Sequence, residues 1–337
     1  MNNSSSEAMK YTCPVDFLSL FSCPNCKSSG LTPVCSGPNS DSFEELQCEA
    51  CKAEFPLIGG IPRLVDQDNY TGSFGYQWNI HRKTQLDSYC GLPISRDRLY
   101  AITKWSGESM KGQRVLEAGS GAGRFTEVLV STGADIFSFD YSRAVDANAC
   151  NNGSAENLAL FQGNIFNIPF PNIFFDHVLC LGVIQHTPDP EAAFVSLANK
   201  VKPGGHLYID VYTRSWHHML QWKYILRPLF KRMDMKRLYR LVERMVTVFL
   251  PLTKLLKKLF GRLGARLMPI VEYSNIGLDP ELNKEWAVLD TFDMYSPAHD
   301  HPQSLETVQR WFSEAGFFEV EVWFGANGVV GRGRKPE

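Results

Sequence analysis

The chain of 337 residues contains no run of about 18 apolar residues, which excludes a membrane-spanning helix from the reading. In its most hydrophobic region the longest uncharged stretch, Met245 to Thr253, is closed off by Arg244 and Lys254. Residues 1–10 lack an apolar h-region, so no secretory signal is expected. Internal repeats and long low-complexity tracts are missing too. With 44% apolar and 21% charged residues, global disorder is excluded. The nine cysteines do not make a disulfide framework. Four fall in two Cys-x-x-Cys pairs, and the other five are scattered and odd in number. That is metal-ligand spacing in a reducing compartment, and a cytoplasmic protein is expected.

Acidic residues are scarce in one segment only. Thr213 to Ile270 holds 14 Lys+Arg against 2 Asp+Glu, a charge of +12. The whole chain has 34 basic and 36 acidic residues, so the remainder has 20 and 34, a charge of −14. The net −2 therefore hides an acidic body and one strongly basic segment.

Composition and periodicity divide the chain into residues 1–21, a loose lead-in; 22–66, the cysteine pairs and a short apolar strand over 55–64; and 67–112, a linker with N-terminal helices, one of them around 95–106. A core over 113–212 and 286–337 follows, with a helical insertion at 213–285. In the core, strands are predicted at 114–118, 135–140, 158–162, 175–181 and 205–212. Helices fall between them, at about 123–132, after Ser142 and at about 188–200. A helix at 304–315 and strands at 317–324 and 327–333 complete the pattern. Near-continuous apolar strands separated by helices predict an α/β doubly wound, mostly parallel sheet covered on both faces.

The first of these strands runs into Glu117-Ala118-Gly119-Ser120-Gly121-Ala122-Gly123-Arg124. A sharp strand-to-helix turn needs residues without Cβ so that a ligand can approach the backbone. A helix N-terminus beyond it is expected to offer free N–H groups. A dinucleotide site wants Gly-x-Gly-x-x-Gly, but Arg124 stands where the third glycine belongs. Glu117 is unfavourable beside a pyrophosphate and favourable beside an ammonium. Both departures point to S-adenosylmethionine. Asp140 closes the second strand, 23 residues after Glu117, where a carboxylate accepts from both ribose hydroxyls. The alternative role for Asp140 is a cap for the next helix. Asn164 follows the third strand as a candidate adenine contact.

At these residues the stretch 113–212 resembles the class I methyltransferases of the large methyltransferase-domain group. The matching residues are Glu117-x-Gly119-x-Gly121-x-Gly123, Asp140, Gly163-Asn164 before Ile168-Pro169-Phe170, Phe175-Asp176-x-Val178, His186-x-x-Asp189 and Lys202-Pro203-Gly204-Gly205-His206-Leu207. That family usually has Gly-Asp where this chain has Gly163-Asn164. The resemblance implies a seven-stranded Rossmann-like sheet and cofactor atoms near Glu117, Gly119, Gly121, Asp140, Asn164, Ile165 and Leu181. Ser120, Gly123 and Tyr141, beside them, complete the expected cofactor set. The last two strands fit the antiparallel addition such folds carry at one edge.

Cys23-Pro24-Asn25-Cys26 and Cys48-Glu49-Ala50-Cys51 are 21 residues apart. Four thiolates suit tetrahedral Zn²⁺ with no open position, a structural site. Residues 22–64 also resemble the small zinc ribbons that activate and bind partner methyltransferases, through Cys-Pro-x-Cys-Lys early and Phe55-Pro56-x-Ile58-x-Gly60-Ile61-Pro62 late.

For chemistry, His186 follows the fourth strand and is the candidate base, its unperturbed pKa of about 6.5 suiting proton removal near neutrality. A structural role for it is equally open. Asp210 and Tyr212 end the fifth strand at the same sheet edge. Asp290 to His301 is dense in polar groups that either line an acceptor pocket or form a solvated loop. Two of the aromatics of Phe74-Gly75-Tyr76-Gln77-Trp78 either cover the cofactor or seal the ribbon against the main domain. Residues 252–267 place Leu252, Leu255, Leu256, Leu259, Phe260, Leu263 and Leu267 on one helical face, with Lys254, Lys257 and Lys258 opposite. Three readings stand for 213–270: a lid packed on the acidic body, a peripheral membrane contact, and an RNA grip. The leading function is S-adenosylmethionine-dependent methyl transfer to a small-molecule, glycan or lipid-type acceptor. An rRNA or tRNA methyltransferase is the second choice, and a non-catalytic cofactor-binding module the third.

Overall fold

The computed structural model describes residues 11–35, 43–66, 69–107, 109–214 and 222–337. Residues 1–10 of the expected lead-in and 215–221 of the expected insertion lie outside that range. A short helix α1 (Val15–Leu18) precedes a four-stranded antiparallel sheet, β1 (Leu31–Cys35), β2 (Phe43–Cys48), β3 (Glu54–Ile58) and β4 (Ile61–Pro62), in that spatial order. The apolar strand expected over 55–64 is a hairpin, because Gly59 and Gly60 turn it at φ 61° and 74°.

The lead-in is not loose over residues 11–21. Tyr11, Cys13, Leu18 and Phe21 are buried. Phe21 lies 5.1 Å from Phe161 and 4.7 Å from Phe170, ring to ring. Apolar side chains of this size stabilise a docked segment by roughly 1.5–3 kcal/mol each when fully covered.

Three helices connect to the core: α2 (Gly72–Ile80), α3 (Asp87–Cys90) and α4 (Ile94–Thr103). The last is shorter than predicted because Lys104 turns left-handed at φ 60° and closes it. The core then alternates β5 (Arg114–Ala118), α5 (Thr126–Val130), β6 (Asp135–Asp140), α6 (Ala144–Asn152), β7 (Leu158–Gln162), β8 (Phe175–Leu181), α7 (Pro190–Ala198) and β9 (Val201–Val211). It resumes after the insertion with α11 (Leu305–Glu314), β10 (Phe318–Phe324) and β11 (Val329–Arg334). The seven strands lie in the order β10-β11-β9-β8-β5-β6-β7. From β9 to β7 all neighbours are parallel, and β11 is antiparallel to both β9 and β10. The chain goes outward from β5 through β6 to β7, then returns to β8 on the other side of β5. That switch point opens a crevice at the carboxyl ends of β5 and β8.

The small sheet covers the exposed edge of the large one. β7 is an edge strand, and its unpaired groups would otherwise face water. Tyr11 Oη donates to Leu158 O and accepts from Leu160 N, while Leu64 N donates to Gln162 O. The buried Arg63 guanidinium reaches Gln162 Oε1, Ile58 O and Asp146 Oδ1.

Between β9 and α11 stand α8 (Trp222–Phe230), α9 (Met235–Ala265, broken at Gly261) and α10 (Pro280–Tyr295). The expected insertion limit at 285 falls inside α10, which the Asp279 carboxylate starts by accepting from Glu281 N and Leu282 N. A second apolar cluster joins these helices through Leu238, Val242, Val246 and Leu250 of α9 and Val288, Phe292 and Tyr295 of α10. The lid reading of the 252–267 stripe is therefore corrected. Leu252, Leu255, Leu259, Phe260, Leu263 and Leu267 are exposed, because the face four residues apart from Leu238 to Leu250 is the one that packs.

Arg63→Ala leaves the buried Gln162 Oε1 and the Ile58 carbonyl without this donor and the Asp146 carboxylate with only the exposed Arg143. It is expected to lower unfolding free energy by about 2–4 kcal/mol. Chemical denaturation, with proteolysis after residue 66 as the local readout, checks this.

Candidate cofactor and acceptor cavity

A cavity of about 1110 Å³ opens at the β5/β8 switch point. Pockets for single ligands typically span roughly 300–1,000 Å³, so a cofactor leaves room here for a second molecule. Of the residues expected to meet a cofactor, Gly119, Ser120, Gly121, Asp140, Tyr141, Asn164, Ile165 and Leu181 line it. Glu117 and Gly123 lie behind the wall.

The turn after β5 closes on its own strands. Gly119 N and Ser120 N both donate to Phe139 O, at 2.8 and 2.9 Å, and Gly123 N donates to Ser120 O. Gly121 N donates to Asp140 Oδ2 at 2.9 Å. These four donors are spent inside the protein, so the loop does not offer them to an anion as the sequence suggested. Its contribution is close approach. Gly119 sits at φ +79°, and a Cβ there would lie 2.3 Å from Val183 Cγ2. A Cβ on Gly123, at φ +87°, would lie 2.2 Å from Asn148 Oδ1.

Asp140 does not cap α6, which begins at Ala144 without a side-chain cap; it holds the turn before that helix and faces the cavity. Its Oδ1 accepts from Ser142 N and Ser142 Oγ, at 2.8 and 2.6 Å, and it also lines the cavity. Burial raises its pKa, while the Ser142 and Gly121 donors pull it back. Asn164 Oδ1 already accepts from Phe166 N at 2.9 Å. Glu117 is buried below the loop, with Thr126 Oγ1 and Ser138 Oγ donating to Oε2. Its Oε1 has no hydrogen-bond partner, and neither has the buried Ser120 Oγ. These are open valences beneath a backbone that admits a ligand, which fits a zwitterionic amino-acid group.

The far wall holds His186 and Tyr212. His186 Nδ1 lies 3.1 Å from His299 O, and a carbonyl only accepts, so the ring proton is on Nδ1 and Nε2 keeps its lone pair. Burial lowers the His186 pKa and keeps the ring neutral. Phe74 and Tyr212 contact the ring at 5.1 and 5.3 Å. Asp210 does not line the cavity. It is buried beneath it, where Arg98 and Asn327 Nδ2 are its partners.

Of the stretch Asp290 to His301, which sequence reasoning left open between pocket and loop, Asp290, Asp293 and Met294 line the cavity and the residues from Tyr295 to His301 do not. Asp290 and Asp293 come from α10 and face Gln85, in the turn between α2 and α3, and Gln77 of α2, at 3.3 and 3.1 Å. Tyr212 Oη donates to Asp293 Oδ2 at 3.1 Å, and Tyr273 Oη donates to Asp290. Burial holds the Asp290 carboxyl up at about 6. Arg124, Tyr273, Trp286, Lys223 and Tyr224 were missed as lining residues. The signal available for Arg124 was its place three residues after Gly121. Phe74 and Trp78 of α2 do line the cavity.

Away from the cavity, the Sγ atoms of Cys23, Cys26, Cys48 and Cys51 lie within 4.8 Å of one another. Two of the separations are 3.6 Å, near the edge of a tetrahedron with metal–sulfur bonds of about 2.3 Å.

Burial holds the Glu117 pKa at about 7, above its ordinary 4.5. The stability this gives is present below the ordinary value and fades as pH rises through about 7. Glu117→Gln is expected to remove a dependence on the order of 3 kcal/mol. Thermal midpoints of both proteins between about pH 5 and about pH 8 check it.

The comparisons with known proteins agree with this geometry. The family described as "Methyltransferase domain" matches residues 116–209. Ubiquinone biosynthesis O-methyltransferase of Pectobacterium carotovorum is 29% identical over 112 residues, 32% of this chain and 46% of that protein. An uncharacterized protein of Synechococcus sp. is 29% identical over 144 residues, 41% of this chain and 31% of that one. The chain thus spans less than half the length of these curated relatives. Phosphoethanolamine N-methyltransferase 2 of Haemonchus contortus, solved with S-adenosyl-L-methionine, overlays with a TM-score of 0.45 at 14% identity, over 84% of this chain and 62% of that one. Built on a Rossmann-like seven-stranded sheet, the chain carries a class I, S-adenosylmethionine-dependent methyltransferase domain.

Proposed function

We propose that the protein transfers a methyl group from S-adenosylmethionine to a small-molecule, glycan or lipid-type acceptor. The observation that carries this is one cavity, lined on one side by Gly119, Ser120, Gly121, Asp140, Asn164, Ile165 and Leu181 and on the other by His186, Tyr212, Asp290 and Asp293. When bound, the cofactor supplies an electrophilic methyl carbon for in-line displacement. The chain's part is then to hold, orient and exclude water. Asp140 takes the ribose hydroxyls, Ile165 and Leu181 supply the apolar adenine walls, and the loop over Glu117 takes the amino-acid end. His186 Nε2 accepts the proton of an acceptor hydroxyl or amine, its ring fixed by His299 O, Phe74 and Tyr212. Asp210 serves by anchoring Arg98 and Asn327, which line the cavity, rather than by touching an acceptor. The O-methyltransferase named among the relatives supports a hydroxyl on a lipid-type acceptor.

The four-cysteine cluster holds a structural Zn²⁺ in this reading, because four thiolates leave no open position. The ribbon it fixes covers the β7 edge. Its paired thiolates fit a reducing, cytoplasmic setting.

Asp140→Asn keeps an acceptor for Ser142 but removes the charge and one lone-pair set. It is expected to weaken S-adenosylhomocysteine binding roughly 10- to 100-fold by calorimetry. Unchanged affinity, or heat from NAD in place of S-adenosylhomocysteine, overturns the proposal. For the metal, one zinc per chain is expected by elemental analysis. Chelation or Cys48→Ser is expected to lower the thermal midpoint while removing that zinc.

A further inference from the structure

Helix α9 carries two apolar stripes. Leu238, Val242, Val246 and Leu250 are spaced by four and buried against α10. On the opposite side Val248, Leu252, Leu255 and Leu259 recur at intervals of four, three and four, and they are 42–68% exposed. Because the inner stripe holds the helix, the outer stripe is a standing feature of the folded protein. Beyond the break at Gly261 it continues through Leu263 and Leu267, and Ile225 and Leu229 of α8 are as exposed. Exposed apolar patches of such extent mark interaction surfaces.

The polar residues beside the stripe are basic. Arg240, Arg244 and Lys258 are exposed on α9, and Lys231, Arg232, Lys236 and Arg237 follow α8 and open α9. They belong to the segment of charge +12. We infer that the outer face of α8 and α9 seats the protein on an anionic lipid surface, leucines in the acyl boundary and cations among the headgroups. A second copy of this chain is the poorer occupant, since an isologous contact would set two +12 segments against each other. RNA would engage the cations and leave the leucines in water. No described helix is long and apolar enough to cross the bilayer, so the contact lies in its surface.

The seat adjoins the cavity. Lys257 Nζ of α9 binds Glu272 Oε2 at 2.6 Å and Asn275 Oδ1 at 2.8 Å, and both partners line the cavity. Trp222, one residue before the lining Lys223 and Tyr224, donates from Nε1 to Leu267 O at 3.1 Å. Docking therefore holds the cavity wall behind α9, one helix from the membrane surface, within reach of an acceptor anchored in lipid. That last link rests on the proposed methyl transfer; the docking does not.

The test is sedimentation of the full chain with vesicles of phosphatidylcholine alone and of phosphatidylcholine mixed with phosphatidylglycerol. Binding is expected to the mixed vesicles, to weaken as salt rises, and to drop about tenfold or more in Leu252→Glu/Leu259→Glu. Arg244→Gln/Lys258→Gln should lose the preference for anionic lipid. Because all four side chains are exposed, unchanged S-adenosylhomocysteine affinity by calorimetry certifies a folded variant. Absence of vesicle binding, equal binding to neutral and anionic vesicles, or full binding by the folded leucine variant overturns the inference. So does a dimer, or a complex with mixed RNA, that the leucine variant abolishes while vesicles leave the wild type in solution. Failure of the methyl-transfer proposal would appear separately, as missing calorimetric heat in a protein that still sediments with vesicles.

Discussion

The turn between β5 and α5 is the constraint on which the rest depends. The N–H groups of Gly119, Ser120 and Gly121 are consumed by Phe139 O and by the Asp140 carboxylate, so the loop is pinned to the end of β6. One carboxylate thereby fixes the loop, starts the next segment through Ser142 and still faces the cavity. Four of the turn's backbone donors are thereby spent inside the protein, and its glycines let a ligand approach the backbone closely.

Charge is distributed so that the cavity's cations are largely satisfied by the protein. Lys223 and Arg227 share Asp300, at 2.7 and 2.8 Å, Arg98 is held by Asp210, and Lys257 by Glu272. Arg124 donates to Gln85 Oε1 and Ser95 Oγ and lies 5.8 Å from the Trp286 ring. Such buried networks orient side chains more surely than they add stability. Near His186, Asp293 acts through Tyr212 and Gln77, and Asp300 through Lys223 and Arg227, which keeps the far wall polar with its cations paired.

The sheet was legible because it is covered on both faces. β6, β7 and β8 begin and end where continuous apolar runs do, and the turn glycines mark the switch point between them. The cysteine pairs were legible from spacing alone. Periodicity could not choose between the two sides of α9, since both are apolar; the choice depends on α10, about 40 residues away in sequence, which supplies Phe292 and Tyr295. Nor does local pattern announce Arg63, whose partners Asp146 and Gln162 arrive from distant strands and helices. Asp290 and Asp293 stayed open between pocket and solvated loop until α10 placed them against α2 and the residues after it.

The way the helical excursion is stitched into the sheet has a further consequence. It leaves β9 just after Tyr212, where Arg214 N donates to Gln303 O and Gln303 N to Tyr212 O, so its two ends are clasped within a few residues. Before that clasp the segment is also tied to the site, through His299 O to His186 and through His301 N to Gln185 O. Tyr273, Asp290 and Asp293 of the cavity wall belong to that clasped segment, whereas Gly119, Gly121 and Asp140 belong to the sheet and its turns, so one wall is carried by an excursion that enters and leaves the sheet at a single point.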